Sequence, residues 1–172
     1  MDTMIPIGQP APEFTLPDLA GHAHSLAEGR GRIAIVNFWS AECGWCERID
    51  AQLLALTQSW GGAATMLPIA SNVNESPALL ARAAGQRGLP LVLIDADYQV
   101  ADLYSAQTTP QLFLIDQDGI LRYQGAFDDV TFRQRRPTQN YLRMAVEALL
   151  AGRQPDPAQT LSQGCSIVRY IP

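Results

Sequence analysis

Asn37-Phe38-Trp39-Ser40-Ala41-Glu42-Cys43-Gly44-Trp45-Cys46 is the stretch on which the reading of this chain turns. Upstream of it, Ile33, Ile35, Val36 and Phe38 make residues 32–39 apolar on both faces. That is the pattern of a central strand covered above and below in an α/β sheet. Downstream, Ile49, Leu53, Leu54 and Leu56 recur at helical spacing toward Trp60, and Gly61-Gly62 stops the pattern. Cys43 therefore falls at a strand-to-helix junction, and Cys46 follows it by one helical turn.

Working outward, a second strand-helix unit follows. Residues 65–70 read as a strand and 75–84 as a helix, with Asn74 as its cap and Pro77 in its first turn. Gly85 and Gly88 bracket the next turn, 91–94 reads as a short buried strand and 98–104 as a short helix. The last part changes character. Residues 111–115 form a strand just after Pro110, Asp116-Gln117-Asp118-Gly119 is a hairpin turn, and 120–123 returns antiparallel. A helix over 139–150 closes the pattern, with Gly152 at its C-terminal end. Ahead of the central strand, residues 1–31 are rich in Pro, Gly and polar residues. Short extended pieces are expected at 14–16 and 24–26, joined by a turn over 17–21. The expected architecture is α/β: a central mixed sheet flanked by helices, with an N-terminal extension over about 1–31. One domain spans 1–152, and a tail of low periodicity, 153–172, is packed on it or extends from it.

Bulk properties narrow the function. The chain has 172 residues, 47% hydrophobic, which suits one domain with a real core. Its net charge of -5 makes nucleic acid a poor partner. Every basic residue is arginine, and the local cluster Arg133, Arg135 and Arg136 reads as a solvated loop, with an anion or partner contact as the lesser reading. No apolar run is long enough for a membrane span. The segment Met1–Pro6 lacks the basic and apolar regions of a signal peptide, which slightly favours the cytoplasm, with the periplasm open if a leader was removed. No G-x-G-x-x-G cradle follows a strand, so no nucleotide or other cofactor is expected.

The cysteines carry the chemistry. Two cysteines three apart at a helix start share one face and are spaced for a disulfide. Free backbone amides and the helix dipole there stabilise a thiolate, which is both nucleophile and leaving group. Cys43 is expected to be the more exposed attacking thiol and Cys46 the more buried resolving one. A zinc knuckle is the competing reading, but its second half is missing: Cys165 stands alone, and His22 and His24 cluster near the N-terminus. An inert buried pair is the remaining alternative.

The segment 37–46 resembles the active-site segment of the thioredoxin superfamily. With the N-terminal extension, residues 5–150 resemble its redoxin branch, related to AhpC/TSA-type and cytochrome-c-maturation proteins. The resemblance implies dithiol–disulfide exchange with protein disulfides, most simply as a reductase drawing on a protein electron donor, and a monomer. It also implies a cis-proline before a central strand and beside the cysteine pair. Thr108-Thr109-Pro110 followed by Gln111-Leu112-Phe113-Leu114-Ile115 matches that pattern. Cys43, Cys46 and Pro110 are thus the candidate catalytic residues. Gly44, Trp45 and Thr109 are candidate substrate contacts, Thr109 through its backbone groups.

Trp39, Asn37 and Glu42 are candidate supporting residues. Asn37 stands where thioredoxin carries a buried Asp, and it cannot accept a proton from Cys46 as an acid does. Glu42, Glu47 and Asp50 read as favourable charges at a helix N-terminus. Gly125–Asp129 and Gly164-Cys165-Ser166-Ile167 also look like redoxin segments, with no assigned role. Cys165 is left as a third thiol of uncertain use, read as peripheral: a buried apolar residue, an exposed free thiol or, least favoured, an auxiliary redox cysteine. Two other functions compete. A peroxiredoxin-like peroxidase pattern, Pro-x-x-x-Thr-x-x-Cys, is met only in part, because Val36 and Ser40 occupy the Pro and Thr places. A non-enzymatic thioredoxin-fold binding protein is the other.

Overall fold

A computed structural model describes residues 4–171. In chain order its elements are β1 (Thr15–Pro17), β2 (Ala23–Ser25), β3 (Ile33–Trp39), α1 (Gly44–Ser59), β4 (Ala64–Ala70), α2 (Pro77–Arg87), β5 (Leu93–Ile94), α3 (Gln99–Leu103), β6 (Thr108–Thr109), β7 (Gln111–Ile115), β8 (Leu121–Gly125), α4 (Tyr141–Leu150) and β9 (Cys165–Ser166). Five strands form one mixed sheet in the order β5-β4-β3-β7-β8. β3 pairs parallel with β4 and antiparallel with β7, and β7 pairs antiparallel with β8 through the expected hairpin.

The strand pattern decides what covers each face. All seven residues of β3 are buried. Ile33, Ile35 and Trp39 point into one core with Ile49 and Leu53 of α1, Leu80 of α2 and Leu142 and Val146 of α4. Ala34, Val36 and Phe38 point into the other, which is closed by Val100 and Ala101 of α3 and by Phe14, Leu16 and Leu26 of the N-terminal extension. The period of two in a strand makes this division automatic. The extension thus does the work of a helix layer. It also reaches both ends of the sheet, since Asp18 bridges Leu93 of β5 and Pro10 bridges Ile120 beside β8.

Several boundaries differ from the sequence reading. The cap of α2 is Ser76, not Asn74: Ser76 Oγ accepts from Leu79 N at 3.2 Å, and Pro77 takes the first helical position. Gly85 lies inside α2, which runs on to a left-handed Gly88. The last helix starts at Tyr141, two residues late, because Asn140 caps it by accepting from Arg143 N at 2.9 Å.

The tail is the larger surprise. Residues 158–160 run along β8, with Gln124 N donating to Ala158 O at 3.1 Å and Thr160 N to Gln124 O at 3.1 Å. The tail then crosses to pair β9 with β6. Gly125 makes the first crossing possible: its φ is +139°, and a Cβ there would overlap the Thr160 carbonyl.

The second core is the more aromatic. Phe113 is fully buried, with ring centroids 5.7 Å from Phe38 and 5.1 Å from Tyr104, both near edge-to-face. Phe113→Ala is expected to destabilise the fold by about 3–5 kcal/mol. Urea unfolding checks this; a loss below about 1 kcal/mol would contradict the packing described.

Candidate active site

Helix α1 begins immediately after β3, and Cys43 is its N-cap in extended conformation, φ -91° and ψ 116°. The amides of Cys46 and Glu47 both reach the Cys43 carbonyl at 3.1 Å. On the opposite wall, the Thr109–Pro110 bond is cis, as the motif implied. Cys43 Sγ lies 3.1 Å from the Thr109 carbonyl oxygen, to which it donates while it is protonated. Cys43, Cys46 and Pro110 are therefore brought together.

Cys43 is the less buried of the two, as expected, but by a small margin: it is 2% exposed and Cys46 is 0% exposed. The cover is the C-terminal tail. β9 lies antiparallel to β6 with Cys165 opposite Thr109. The Thr109 backbone, expected to face an incoming substrate, is thus already paired. Cys165 is not peripheral: it is exposed, yet its thiol interacts with Cys43.

The surroundings drive the two active-site thiols apart in acidity. Cys43 is held far below an ordinary thiol, at about 4. The Cys46 thiol donating to it is the main cause. Burial works the other way, and the Cys165 thiol, the Cys46 amide and the Thr109 side chain add further donors. Thr109 Oγ1 is buried with no hydrogen-bond partner among the described residues, so it is free to donate to a thiolate. Cys46 is pushed well up, first by burial, then by the hydrogen bond and charge of Cys43. One thiol is ionised and the other holds its proton.

The buried acid missing from β3 comes instead from the helix. Asn37 is buried, and its Oδ1 has no partner among the described residues. Asp50, read from sequence as a solvated helix-end charge, is 2% exposed. It lies one turn beyond Cys46, where the helix face turns inward. Its Oδ2 accepts from Trp39 Nε1 at 3.0 Å and from Arg87 at 3.1 Å, while Oδ1 has no partner among the described residues. Burial raises its pKa despite those two donors, and its charge helps raise Cys46. Trp39 is fully buried and serves mainly to hold this acid.

Glu75 was not singled out from sequence. It is buried, accepting from Ser40 Oγ at 2.7 Å and from Glu42 N at 2.9 Å, and so fixes the loop that enters α1. A lone acid before a helix carries no sequence signal of that role. The Glu42 side chain itself is exposed.

Beside the pair lies an open groove lined by Gly44, Trp45, Arg48, Phe132 and Arg135. Trp45 is half-buried and meets the exposed Phe132 edge-on at 5.1 Å. Arg48 sits 5.7 Å from the Trp45 ring and binds buried Asp128 through two contacts of 2.8 Å. Asp128 belongs to the 125–129 segment singled out above. His22 and His24 are held by Asp18, at 3.5 and 2.9 Å. Among the described residues no helix is long and apolar enough to cross a membrane.

Residues 7–124 match the AhpC/TSA family. The thiol-disulfide oxidoreductase ResA of Geobacillus kaustophilus is 34% identical over 118 residues, 68% of this chain and 67% of that protein. Two solved structures extend the likeness to nearly the whole chain. A hypothetical protein of Sinorhizobium meliloti aligns with a TM-score of 0.88 and 30% identity, covering 98% of this chain and 97% of its own. An uncharacterized conserved protein of Geobacillus kaustophilus gives a TM-score of 0.89 and 28% identity, covering 98% and 94%.

Thiolate absorbance of the reduced protein should titrate with a midpoint near 4, and the rate of Cys43 alkylation should level off above about pH 5. Cys46→Ala removes the main donor and should raise that midpoint by about 1–2 units. A midpoint near 8.5 in the wild type would refute the donor arrangement.

Proposed function

The chain belongs to the AhpC/TSA family and is a thiol–disulfide oxidoreductase, and we propose that Cys43 and Cys46 carry its exchange with protein disulfides. The observation that supports this most is the geometry: Cys43 caps α1 with Cys46 one turn on, and Cys43 Sγ lies 3.1 Å from the Thr109 carbonyl beside cis Pro110, in surroundings that lower the Cys43 pKa and raise that of Cys46. The Cys43 thiolate attacks one sulfur of a substrate disulfide, forming a mixed disulfide and releasing the other sulfur as a thiolate. Charge then leaves Cys43, and with it one cause that holds up Cys46. Asp50, buried with an unpartnered oxygen near Cys46, takes the proton. Cys46 attacks Cys43, the substrate leaves reduced, and a Cys43–Cys46 disulfide remains. A second protein dithiol returns the electrons. One chain suffices, since it supplies both cysteines and the Thr109 edge. Gly44, Trp45 and the Arg48–Phe132 groove form the docking face for the substrate.

The reductive direction is the reading we favour, because a preformed thiolate is poised to attack. The same stabilised thiolate favours the reduced state of the protein, which pulls the couple toward the oxidising side. The potential distinguishes the two. A value near about -270 mV supports a reductase, and one near about -120 mV supports dithiol oxidation.

Cys43→Ser should lower turnover on a protein disulfide by at least about a thousandfold. Cys46→Ala combined with Cys165→Ala should accumulate the mixed disulfide. Turnover in Cys43→Ser comparable to wild type would overturn the assignment. Asp50→Asn should slow formation of the Cys43–Cys46 disulfide about tenfold or more at neutral pH and shift its pH profile upward. A purely structural Asp50 would change stability without moving that profile.

A further inference from the structure

The tail segment 164–166 does at Thr109 what an extended substrate would have to do. Its strand adds antiparallel to Thr108–Thr109, the edge that precedes Pro110, with Cys165 opposite Thr109. The Cys43 thiol is bonded to the carbonyl of the same Thr109. One residue thus holds the attacking cysteine on its carbonyl and presents a second cysteine across the ladder.

The approach is built. A Cβ on Gly164 would overlap the Thr109 carbonyl and press on Pro110 N, so only glycine lets the tail lie this close. Beyond the cysteine, Ile167 is buried in the second core and its amide donates to Gln107 O at 3.0 Å. Val168 is held on both sides, its amide by Asn72 Oδ1 at 2.7 Å and its carbonyl by Val73 N at 3.0 Å. Arg169 reaches Asp102 at 2.8 Å and Ala106 O at 2.7 Å. These anchors fix the register of a segment whose two strand residues are themselves exposed.

We propose that residues 164–166 are a built-in substrate mimic, and that Cys165 is a third redox-active thiol forming a disulfide with Cys43 during turnover. The inference rests on Cys43 being the attacking thiol. In a mixed disulfide between Cys43 and a substrate, the Cys165 sulfur attacks Cys43 Sγ. The Cys43–substrate bond breaks, the substrate sulfur leaves with the electron pair and takes the Cys165 proton, and a Cys43–Cys165 disulfide forms. Cys46 then attacks Cys43 Sγ. The Cys43–Cys165 bond breaks, the Cys46 proton passes by way of Asp50 to Cys165, and Cys43–Cys46 remains. Two electrons reach the substrate, both from the Cys43–Cys46 pair, and Cys165 ends reduced. No outside oxidant is needed beyond the substrate disulfide.

The resting state agrees with this order. Burial, then the hydrogen bond and charge of Cys43, raise Cys165 to about 11, while the Trp45 amide works against them. Cys165 therefore rests as a thiol donating to the Cys43 thiolate. A mixed disulfide at Cys43 removes that charge and releases Cys165 to react. A substrate must displace the tail to reach Cys43, and the returning tail expels the product.

The test uses the full chain carrying Cys46→Ala, treated with glutathione disulfide, then quenched, alkylated and digested with trypsin. Cleavage after arginine places Cys43 in peptide 33–48 and Cys165 in peptide 154–169. The expected result is a disulfide between these two peptides and loss of the glutathione adduct on Cys43. Adding Gly164→Ala, which keeps the thiol but lifts the strand, should abolish the cross-link and leave the adduct in place. A persistent adduct on Cys43 with Cys165 freely alkylated, in the single variant, overturns the proposal while sparing the Cys43 assignment. No adduct and no cross-link at Cys43 overturns both. Should Cys46→Ala not fold, wild type titrated with glutathione disulfide gives the same reading. A 33–48/154–169 cross-link as a transient fraction supports the proposal, and its absence at every ratio overturns it.

Discussion

Thr109 joins three parts of the chain that local structure keeps separate. Its carbonyl accepts the Cys43 thiol at the start of α1. Its backbone pairs with Cys165 of the tail. Its peptide bond to Pro110 leads directly into β7, the antiparallel partner of β3 from which α1 departs. The burial of Cys43 and the course of the tail both follow from this one junction. A proline at that point donates no ladder hydrogen bond, which frees the preceding residue to serve neighbours on both sides.

The cover over the site has a physical consequence. A two-residue strand makes few hydrogen bonds, each worth about 0.5–1.5 kcal/mol net. The anchors beyond it, at Ile167, Val168 and Arg169, are stronger in sum and sit away from Cys43. A segment that is weakly held at its centre and firmly held at its end can lift from the site without leaving the domain. Elements that move in function are drawn from the least stable parts of a fold.

The proton economy of the pair is arranged differently from what a thioredoxin-like strand suggests. With Asn37 on β3, the acid is delivered from α1 by Asp50 and tied down by Trp39 and Arg87. Burial raises its pKa, as it does that of Cys46, which would suit the proton transfer proposed between them. Trp39, a candidate supporting residue from sequence, is the donor that orients this acid. Glu75 plays the matching part at the loop, holding Ser40 and Glu42 so that Cys43 arrives at the helix start in extended conformation.

The sequence by itself determined the central strand, the amphipathic helix after it, the hairpin and the Cys43–Cys46 pair at a helix N-terminus. Each is a local pattern: a period of two, a period of 3.6, or a turn residue at a fixed offset. The sheet and the place of the site follow, because a strand buried on both faces can go only in the middle. Tertiary structure alone decided which acid is buried, what covers Cys43 and where Cys165 lies. Asp50 and Glu75 look like any solvated carboxylates until the helix packs. The pairing of Cys165 with Thr109 involves two residues at each strand, too few for a periodic signal and far apart in the chain. Only the assembled fold, with Gly125 and Gly164 leaving room for the tail to pass, brings a distant cysteine to the residue that Cys43 is bonded to.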